Sequence, residues 1–142
     1  MDKIDLEEGK KLDLQFAKRG GLLPVVVQNI ADGAVLMLAW ANEEAVQYTI
    51  KHGVAAFYST SRNSLWVKGE TSGNRLHLEE ILVDCDQDAL LYRVRLEGDG
   101  ACHTLRCDGR PRYSCFYRKI DTPSSDLAFL TAHDTASDRG AS

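Results

Sequence analysis

The order of apolar and polar residues predicts a domain built mainly from strands. We interpret the charged stretch 5–18 as a weakly amphipathic helix, after which Gly20-Gly21 interrupts the chain. The apolar run Val25 to Ile30 predicts a first strand, and Ala31-Asp32-Gly33 is typical of a hairpin turn. The continuous apolar run at 34–40 predicts a second strand that is buried on both faces.

One short helix and five further strands complete the pattern. Asn42 is a suitable N-cap, Glu43 and Glu44 suit the positive end of a helix dipole, and Gly53 is placed to end the helix after His52. The sequence therefore predicts a helix over 43–52. Runs rich in β-branched and aromatic residues predict strands at 54–59, 64–68, 75–85, 89–96 and 113–120.

These elements indicate an α+β fold, mainly β, with mixed sheets in one compact domain and few helices. The chain of 142 residues is long enough for one hydrophobic core. We divide it into an N-terminal helical segment at 1–21, a main domain at 22–120 and a polar C-terminal tail at 121–142, which we expect to be mobile because it consists mostly of small and polar residues.

Composition and charge narrow the possible partners. A net charge of -4 gives no positive field for nucleic acid or an anionic membrane, so we expect a small-molecule partner. The charged N-terminus has no apolar signal core, and no window approaches the roughly 20 apolar residues that span a bilayer. We therefore expect a cytoplasmic protein, whose four cysteines serve metal binding or catalysis rather than disulfides.

An acidic segment with the sequence DCDQD surrounds one of these cysteines. In an extended chain, Asp84, Asp86 and Asp88 would project to one side and Cys85 to the other. Carboxylates suit Mg²⁺ or Ca²⁺, while a thiolate suits Zn²⁺. A calcium-binding EF-hand is excluded because its glycine and glutamate are missing at the required spacing. The alternative is a solvated acidic turn.

The remaining cysteines follow in a segment that also contains a histidine. Cys102, Cys107 and Cys115 form no CxxC pair, so a structural zinc ribbon or finger is not favoured. Thiolates from separate loops with one open position would fit a catalytic zinc instead. His103 is a candidate proton carrier beside it. The alternative is that each cysteine is a small buried side chain.

A glycine-rich loop follows a predicted strand. Its glycines let backbone N–H groups converge, its hydroxyls add donors and Lys68 adds positive charge, a combination typical of anion binding. The Walker A order is absent, so a P-loop is excluded. A plain hairpin remains the alternative, as do a solvated Arg62 and a core Trp66. The candidate substrate-binding residues are Arg62, Trp66, Lys68, Gly69, Thr71, Ser72, Gly73 and Asn74.

With these motifs the chain resembles the phosphoribosyl-AMP cyclohydrolases of histidine biosynthesis. The resemblance rests on LLPVVVQ, VLMLAWANEEA, STSR, LWVKGETSGN, DCDQD, ACHT and SCFYR in this order. It implies an intertwined homodimer in which Cys85 of one subunit and Cys102 and Cys115 of the other hold Zn²⁺, while the three aspartates bind Mg²⁺. It also implies hydrolysis of the N1–C6 bond of a substrate with two phosphates, by attack of zinc hydroxide on C6 and with His103 shuttling protons.

One segment departs from the family pattern. The family usually reads ACHTGxxSCF, with its two cysteines seven residues apart, whereas here Leu105 replaces the glycine and Cys102 and Cys115 are thirteen apart. The sequence RCDGRPRY resembles a loop insertion, and additional loop length costs little free energy. We expect Cys115 to be the second ligand because SCFYR follows as in the family, with Cys107 as a competitor.

The same residues allow two other functions, a deaminase and an inactive zinc-binding dimer. A zinc nucleobase deaminase would use an HxE motif, present at 77–79, but its PCxxC partner is missing. A catalytically inactive zinc-binding dimer would account for the altered cysteine loop. Ammonia release would distinguish deamination from ring opening, and turnover would exclude an inactive dimer.

Overall fold

The computed structural model describes residues 2–135 and confirms the mainly β architecture with mixed strand directions. Two α-helices and eight strands follow each other as α1 (Lys3–Glu8), β1 (Leu23–Asn29), β2 (Val35–Ala41), α2 (Glu43–His52), β3 (Ala56–Ser59), β4 (Ser64–Val67), β5 (Leu76–Val83), β6 (Leu90–Leu96), β7 (Arg118–Asp121) and β8 (Asp126–Phe129). Short 3₁₀ helices occur at Phe16–Arg19 and Ala132–Asp134.

A four-stranded sheet with the order β2-β1-β6-β5 forms the body of the domain. β1 and β6 run parallel, while the other neighbours are antiparallel. The predicted hairpin between β1 and β2 is confirmed: Gly33 has φ 78°, and its N–H donates to the carbonyl of Asn29 at 2.8 Å. β3 pairs with β4 and β7 with β8 as two separate hairpins.

The helix predicted over 43–52 is confirmed with both of its caps. The Asn42 side chain accepts a hydrogen bond from the N–H of Ala45 at 2.9 Å, which satisfies a free donor of the first turn. Gly53 ends the helix in the left-handed conformation that a residue without Cβ adopts readily. The Thr49 hydroxyl accepts from the N–H of Ala56 at 3.0 Å and thereby ties the helix to β3.

The hydrophobic core lies on one face of the four-stranded sheet. Leu23, Val25 and Val27 of β1 are fully buried because alternate side chains of a strand share a face. Helix α2 and the β3–β4 hairpin pack over this face, where the Phe57 ring lies 5.9 Å from that of Tyr92. This packing fixes β4 and the glycine-rich loop that follows it.

The prediction of one helix over 5–18 is wrong. Helix α1 ends at Glu8, and residues 9–15 are irregular because the side chain of Gln87 binds their backbone. Its amide nitrogen donates to the carbonyls of Leu6 (3.3 Å) and Lys11 (3.2 Å), and its oxygen accepts from the N–H of Asp13 (2.7 Å). These tertiary bonds replace those that a longer helix would make.

The prediction that β2 is buried on both faces is also wrong. Leu36 and Met37 are buried, but Val35, Leu38 and Trp40 are 44%, 50% and 38% exposed. In the part of the chain that the structure describes, no element covers the outer face of this sheet. The apolar composition of β2 therefore leaves an exposed apolar surface.

The strand predicted at 113–120 is much shorter. Only Arg118–Asp121 is a strand, while residues 113–117 are irregular because their backbone bonds other segments, such as the N–H of Cys115 to the carbonyl of Leu36 at 2.7 Å. β7 pairs instead with β8, which lies inside the segment interpreted as a tail. The mobility of that tail stays a prediction, and residues 136–142 lie outside the described residues.

Candidate active site

Most of the predicted site residues surround one cavity of about 400 Å³. The loop after β4 forms one side, and the segment that begins at Cys102 and His103 forms the other. Gly73 is the only predicted substrate-binding residue that is not part of this wall among the described residues. The lining consists of Arg62, Trp66, Val67, Lys68, Gly69, Glu70, Thr71, Ser72, Asn74, Cys102, His103, Leu105 and Pro111.

The glycine-rich loop bends sharply as it leaves β4. Gly69 has φ 83°, and a Cβ added there would lie 2.4 Å from the backbone nitrogen of Arg75, so a larger residue would clash. The loop closes through a bond from the N–H of Gly73 to the carbonyl of Gly69 at 2.9 Å. Its hydroxyl-bearing residues Thr71 and Ser72 are exposed and line the cavity, where their donors can meet a ligand.

Two thiols lie near each other beside this cavity although they are thirteen positions apart in the chain. Cys102 is held by a bond from its N–H to the carbonyl of Arg112 at 3.1 Å, and its side chain contacts that of Cys115. Cys115 as a residue is exposed, yet burial of its sulfur, together with the smaller effect of the adjacent Cys102, raises the pKa of the thiol to about 12. A cation between the two sulfurs would reverse this effect.

Thr104 is a site residue that the sequence analysis missed. Its backbone N–H donates to the sulfur of Cys102 at 3.4 Å, and its hydroxyl lies 2.9 Å from the same sulfur. Both contacts fix the direction of the Cys102 side chain. The signal was present in the sequence as a threonine two residues after a cysteine, a spacing at which side chains commonly bond the local backbone.

Lys68 lies near the two thiols, a position that its predicted role in phosphate binding does not imply. The residue is 7% exposed, and burial lowers the pKa of its ammonium group, while the charges of Cys115 and Cys102 act in the opposite direction. It lines the cavity together with the exposed Arg62. A buried cation here can therefore act on the thiols and on an anionic ligand at once.

The inserted segment does not separate Cys102 from Cys115. It folds into a small hairpin in which Leu105 bridges Pro111, and the N–H of Arg112 donates to the carbonyl of Thr104 at 3.0 Å and so brings the ends of the segment together. Cys107 is exposed near the hairpin tip and forms no three-ligand group with the other thiols of the described chain. Cys115 is thus the thiol that lies beside Cys102, as the sequence predicted; its role as a ligand stays a prediction.

The carboxylates of Asp84, Asp86 and Asp88 converge, with one ligand atom of each within 4.8 Å of the others. The reason is not the one that the sequence analysis gave, because the segment is a turn and not an extended strand. Asp84 accepts from the N–H groups of Asp88 (2.9 Å) and Ala89 (3.1 Å), and Gln87 has a left-handed φ of 58°. The turn folds the three side chains together.

Basic side chains from the N-terminal segment contact this acidic turn. The Nζ of Lys18 lies 3.0 Å from Asp88 and 3.4 Å from Asp86, and Arg19 reaches Asp88 at 3.4 Å. The hydrogen bond from Lys18 holds the pKa of Asp88 far below its usual range, while burial raises the pKa of Asp84. The turn therefore attracts positive charge, as a divalent-cation site would.

Cys85 is exposed on the same turn and lies apart from the thiol pair. It borders a shallow depression formed with the N-terminal segment. Within residues 2–135, the aspartate trio is the only converging group of three potential metal ligands, so a single described chain does not bring Cys85 to Cys102 and Cys115.

Both residues of the HxE motif bond to other side chains on the surface of the sheet. The imidazole of His77 lies 2.7 Å from the carboxylate of Glu97, and Glu79 accepts from Arg95 at 3.1 Å. Neither His77 nor Glu79 is among the described residues that line the cavity. The geometry therefore gives no support to a deaminase.

A cavity that brings together the Cys102 thiol, the His103 imidazole and a glycine-rich loop is suited to hydrolytic chemistry on a small molecule. Comparison with known proteins identifies the family. Residues 37–117 match the family described as phosphoribosyl-AMP cyclohydrolase, and the chain belongs to this family of hydrolases.

Three relatives illustrate the similarity, and each is named phosphoribosyl-AMP cyclohydrolase. The protein of a Chelativorans species is 49% identical over 84% of this chain and 81% of its own length. That of Archaeoglobus fulgidus is 51% identical over 78% of this chain and 94% of its own length. That of Hyphomonas neptunium is 54% identical, covering 71% of this chain and 72% of its own length.

Proposed function

We propose that the protein hydrolyses the N1–C6 bond of 1-(5-phosphoribosyl)-AMP and thereby opens the adenine ring in histidine biosynthesis. The relatives named above support this assignment across most of the chain. The observation that carries it is the single cavity shared by Cys102, His103 and the glycine-rich loop. One cavity can then hold a phosphorylated group and the bond to be broken.

The thiol pair fits Zn²⁺. Thiolates are its preferred soft ligands, and the side chains of Cys102 and Cys115 lie near each other. We propose Cys85 as the third ligand. When bound, zinc supplies Lewis acidity and lowers the pKa of a coordinated water to about 7.

The remaining steps belong to side chains of the cavity. His103 is exposed at its wall, where its ring can accept a proton from the attacking water and deliver one to the leaving N1 nitrogen. Lys68 and Arg62 provide positive charge for phosphate, and the loop hydroxyls provide donors. Water must enter for hydrolysis, which agrees with a cavity that remains open to solvent at Thr71 and Ser72.

The acidic turn fits Mg²⁺, which prefers carboxylate oxygens. We propose Asp84, Asp86 and Asp88 as its ligands, since their oxygens converge and those of Asp86 and Asp88 already contact the ammonium group of Lys18. An Mg²⁺ ion there would neutralise the turn that carries Cys85. In this proposal the metal holds the turn in shape rather than taking part in bond cleavage.

We propose that the active unit is a homodimer. The register of the sheet aligns Leu38, Val26, Leu91 and Leu82 as one apolar row across its outer face. Leu38 and Leu82 are 50% and 43% exposed, which is unusual for a large side chain within an aligned apolar row. The row ends at Leu82, close to the turn that carries Cys85, and we propose that a second copy of the chain covers this row.

A charged substitution in this apolar row tests the proposed dimer interface. We expect Leu38→Glu to shift the protein from dimer to monomer in light scattering, because the carboxylate would be buried in the interface. Leu127→Glu on β8 is the matched control, since Leu127 is 57% exposed and lies away from the row. Equal masses for both variants and the unmodified protein would contradict this interface.

Turnover of phosphoribosyl-AMP followed by ultraviolet absorbance tests the activity. We expect turnover that a chelator abolishes and added Zn²⁺ restores, without release of ammonia. Ammonia release would indicate a deaminase, and bound zinc without turnover would indicate an inactive dimer.

No helix among residues 2–135 is long and apolar enough to cross a membrane. The cytoplasmic location expected from the cysteines stays a prediction.

A further inference from the structure

We infer that Leu105 and Pro111 form an apolar wall on which the purine ring of the substrate packs, which makes the inserted hairpin a specificity element of this enzyme. The inference rests on the proposed function, because it assigns part of that substrate to part of that cavity. Both residues line the cavity together with Cys102 and His103.

The hairpin has a defined backbone. Its strands are joined by bonds from the N–H of Arg112 to the carbonyl of Thr104 (3.0 Å) and from the N–H of Arg106 to the carbonyl of Arg110 (2.8 Å). Between these two bonds Leu105 and Pro111 face each other as an antiparallel bridge. The two side chains are therefore presented as a pair and not as separate loop residues.

Arg112 anchors the base of the hairpin to the C-terminal part of the fold. It is 6% exposed, its guanidinium lies 4.0 Å from the centre of the Tyr117 ring, and its Nε donates to the carbonyl of Asp134 at 2.9 Å. The Tyr117 ring in turn stacks on Phe129 of β8. A wall held in this way is ordered before a ligand binds, which lowers the entropy cost of binding.

Three charged residues lie at the tip of the hairpin, where Asp108 pairs with the two arginines that flank it. Asp108 accepts from the backbone N–H of Arg110 at 3.0 Å and from the guanidinium of Arg106 at 2.6 Å, and these bonds hold the pKa of its carboxyl below the usual range. The arginines at the tip do not line the cavity within the described chain. What the hairpin offers to the cavity is therefore apolar.

The cavity thus has two chemically different sides. Lys68, Arg62 and the loop hydroxyls offer positive charge and donors, whereas Leu105 and Pro111 offer an apolar surface directly after Cys102 and His103 in the chain. A phosphate is suited to the first side and an aromatic ring to the second. The ring must also lie near the thiols, because its N1–C6 bond is the one that breaks.

The test compares a ligand that has a purine with one that lacks it. Calorimetry on the zinc-loaded protein would use AMP and ribose 5-phosphate as probes. We expect Leu105→Ala to weaken AMP binding roughly tenfold, as loss of apolar contact in a pocket usually does, and to leave ribose 5-phosphate binding within twofold. Pro111→Ala should act in the same direction, and KM for phosphoribosyl-AMP should rise in parallel with little change in kcat.

Arg110→Ala is the matched control, because it changes the same hairpin at its exposed tip and should leave both probes unaffected. Unchanged AMP binding in Leu105→Ala and Pro111→Ala, or an equal loss for both probes, would overturn the inference. Failure of the proposed function appears separately, as a lack of turnover by the unmodified protein, since the binding measurements do not require catalysis.

Discussion

The acidic turn and the thiol pair are two candidate metal sites of opposite construction. The aspartates lie within five consecutive residues, and one turn brings their oxygens together. Cys102 and Cys115 meet only because the segments around them bond other parts of the chain. The ammonium group of Lys18 already contacts the turn, whereas burial of its sulfur raises the pKa of the Cys115 thiol beside Cys102.

This difference predicts that metal binding at the two sites depends to different degrees on formation of the dimer. A hard cation can bind the turn of a single chain, since all three carboxylates are local. A zinc ion at the thiol pair needs a third protein ligand, and among the described residues of one chain no further donor converges there. We therefore expect the first site to survive loss of the dimer and the second to be lost with it.

Removal of one thiol should have the largest effect. We expect Cys102→Ser to lose bound zinc and to reduce kcat/KM on the order of 10³-fold, because Lewis-acid stabilisation is worth several kcal/mol. Metal analysis and turnover check this. Cys107→Ser is the control and should keep both, since Cys107 is exposed on the hairpin. Loss of zinc in the control alone would reverse the ligand assignment.

The metal affinities of the two sites should also differ in their dependence on pH. The pKa of the Cys115 thiol is raised to about 12, so near neutral pH the metal must displace its proton, and apparent zinc affinity should rise at least about tenfold per pH unit between about pH 6 and 8. Carboxylates ionise at much lower pH, so magnesium affinity should be nearly constant there. Competition titrations with a zinc chelator measure the slope. A flat zinc profile would show that the thiols are already ionised.

Removal of the competing ammonium group should have the smallest effect. We expect Lys18→Met to tighten magnesium binding about two- to fivefold, since an exposed ion pair contributes at most about 1 kcal/mol. Lys119→Met on β7 is the matched control, because Lys119 makes no ion pair within residues 2–135. Magnesium titration by calorimetry checks both variants. A weaker affinity in Lys18→Met would mean that Lys18 supports the turn rather than competing for it.

The sequence correctly predicted the elements that are specified by residues close to them in the chain. The helix over 43–52 was correct because Asn42 and Gly53 mark its two ends, and the β1–β2 hairpin was correct because of its glycine turn. Tertiary contacts caused the errors. The long N-terminal helix failed because Gln87, more than 70 residues away, binds its backbone, and β2 has an exposed face because strand burial depends on what packs above it.

The candidate site was predictable as a list of residues but not as an arrangement. ACHT, SCFYR and the glycine-rich loop named most of the cavity wall. The proximity of Lys68 to the thiols and the wall formed by Leu105 depend on how separate segments pack together, which residue types alone do not specify. The contact of Thr104 with Cys102 is local, and its spacing is visible in the sequence.

The most direct test of the central claim mixes two inactive chains. Cys85→Ala and Cys102→Ala each remove one thiol, and each should be inactive alone. If Cys85 of one subunit completes the site of the other, refolding an equal mixture should restore about a quarter of the unmodified activity, since about half of the dimers are mixed and each has one intact site. Zinc bound should recover in the same proportion. No recovery of activity or zinc, with mixed dimers present, would contradict a shared site.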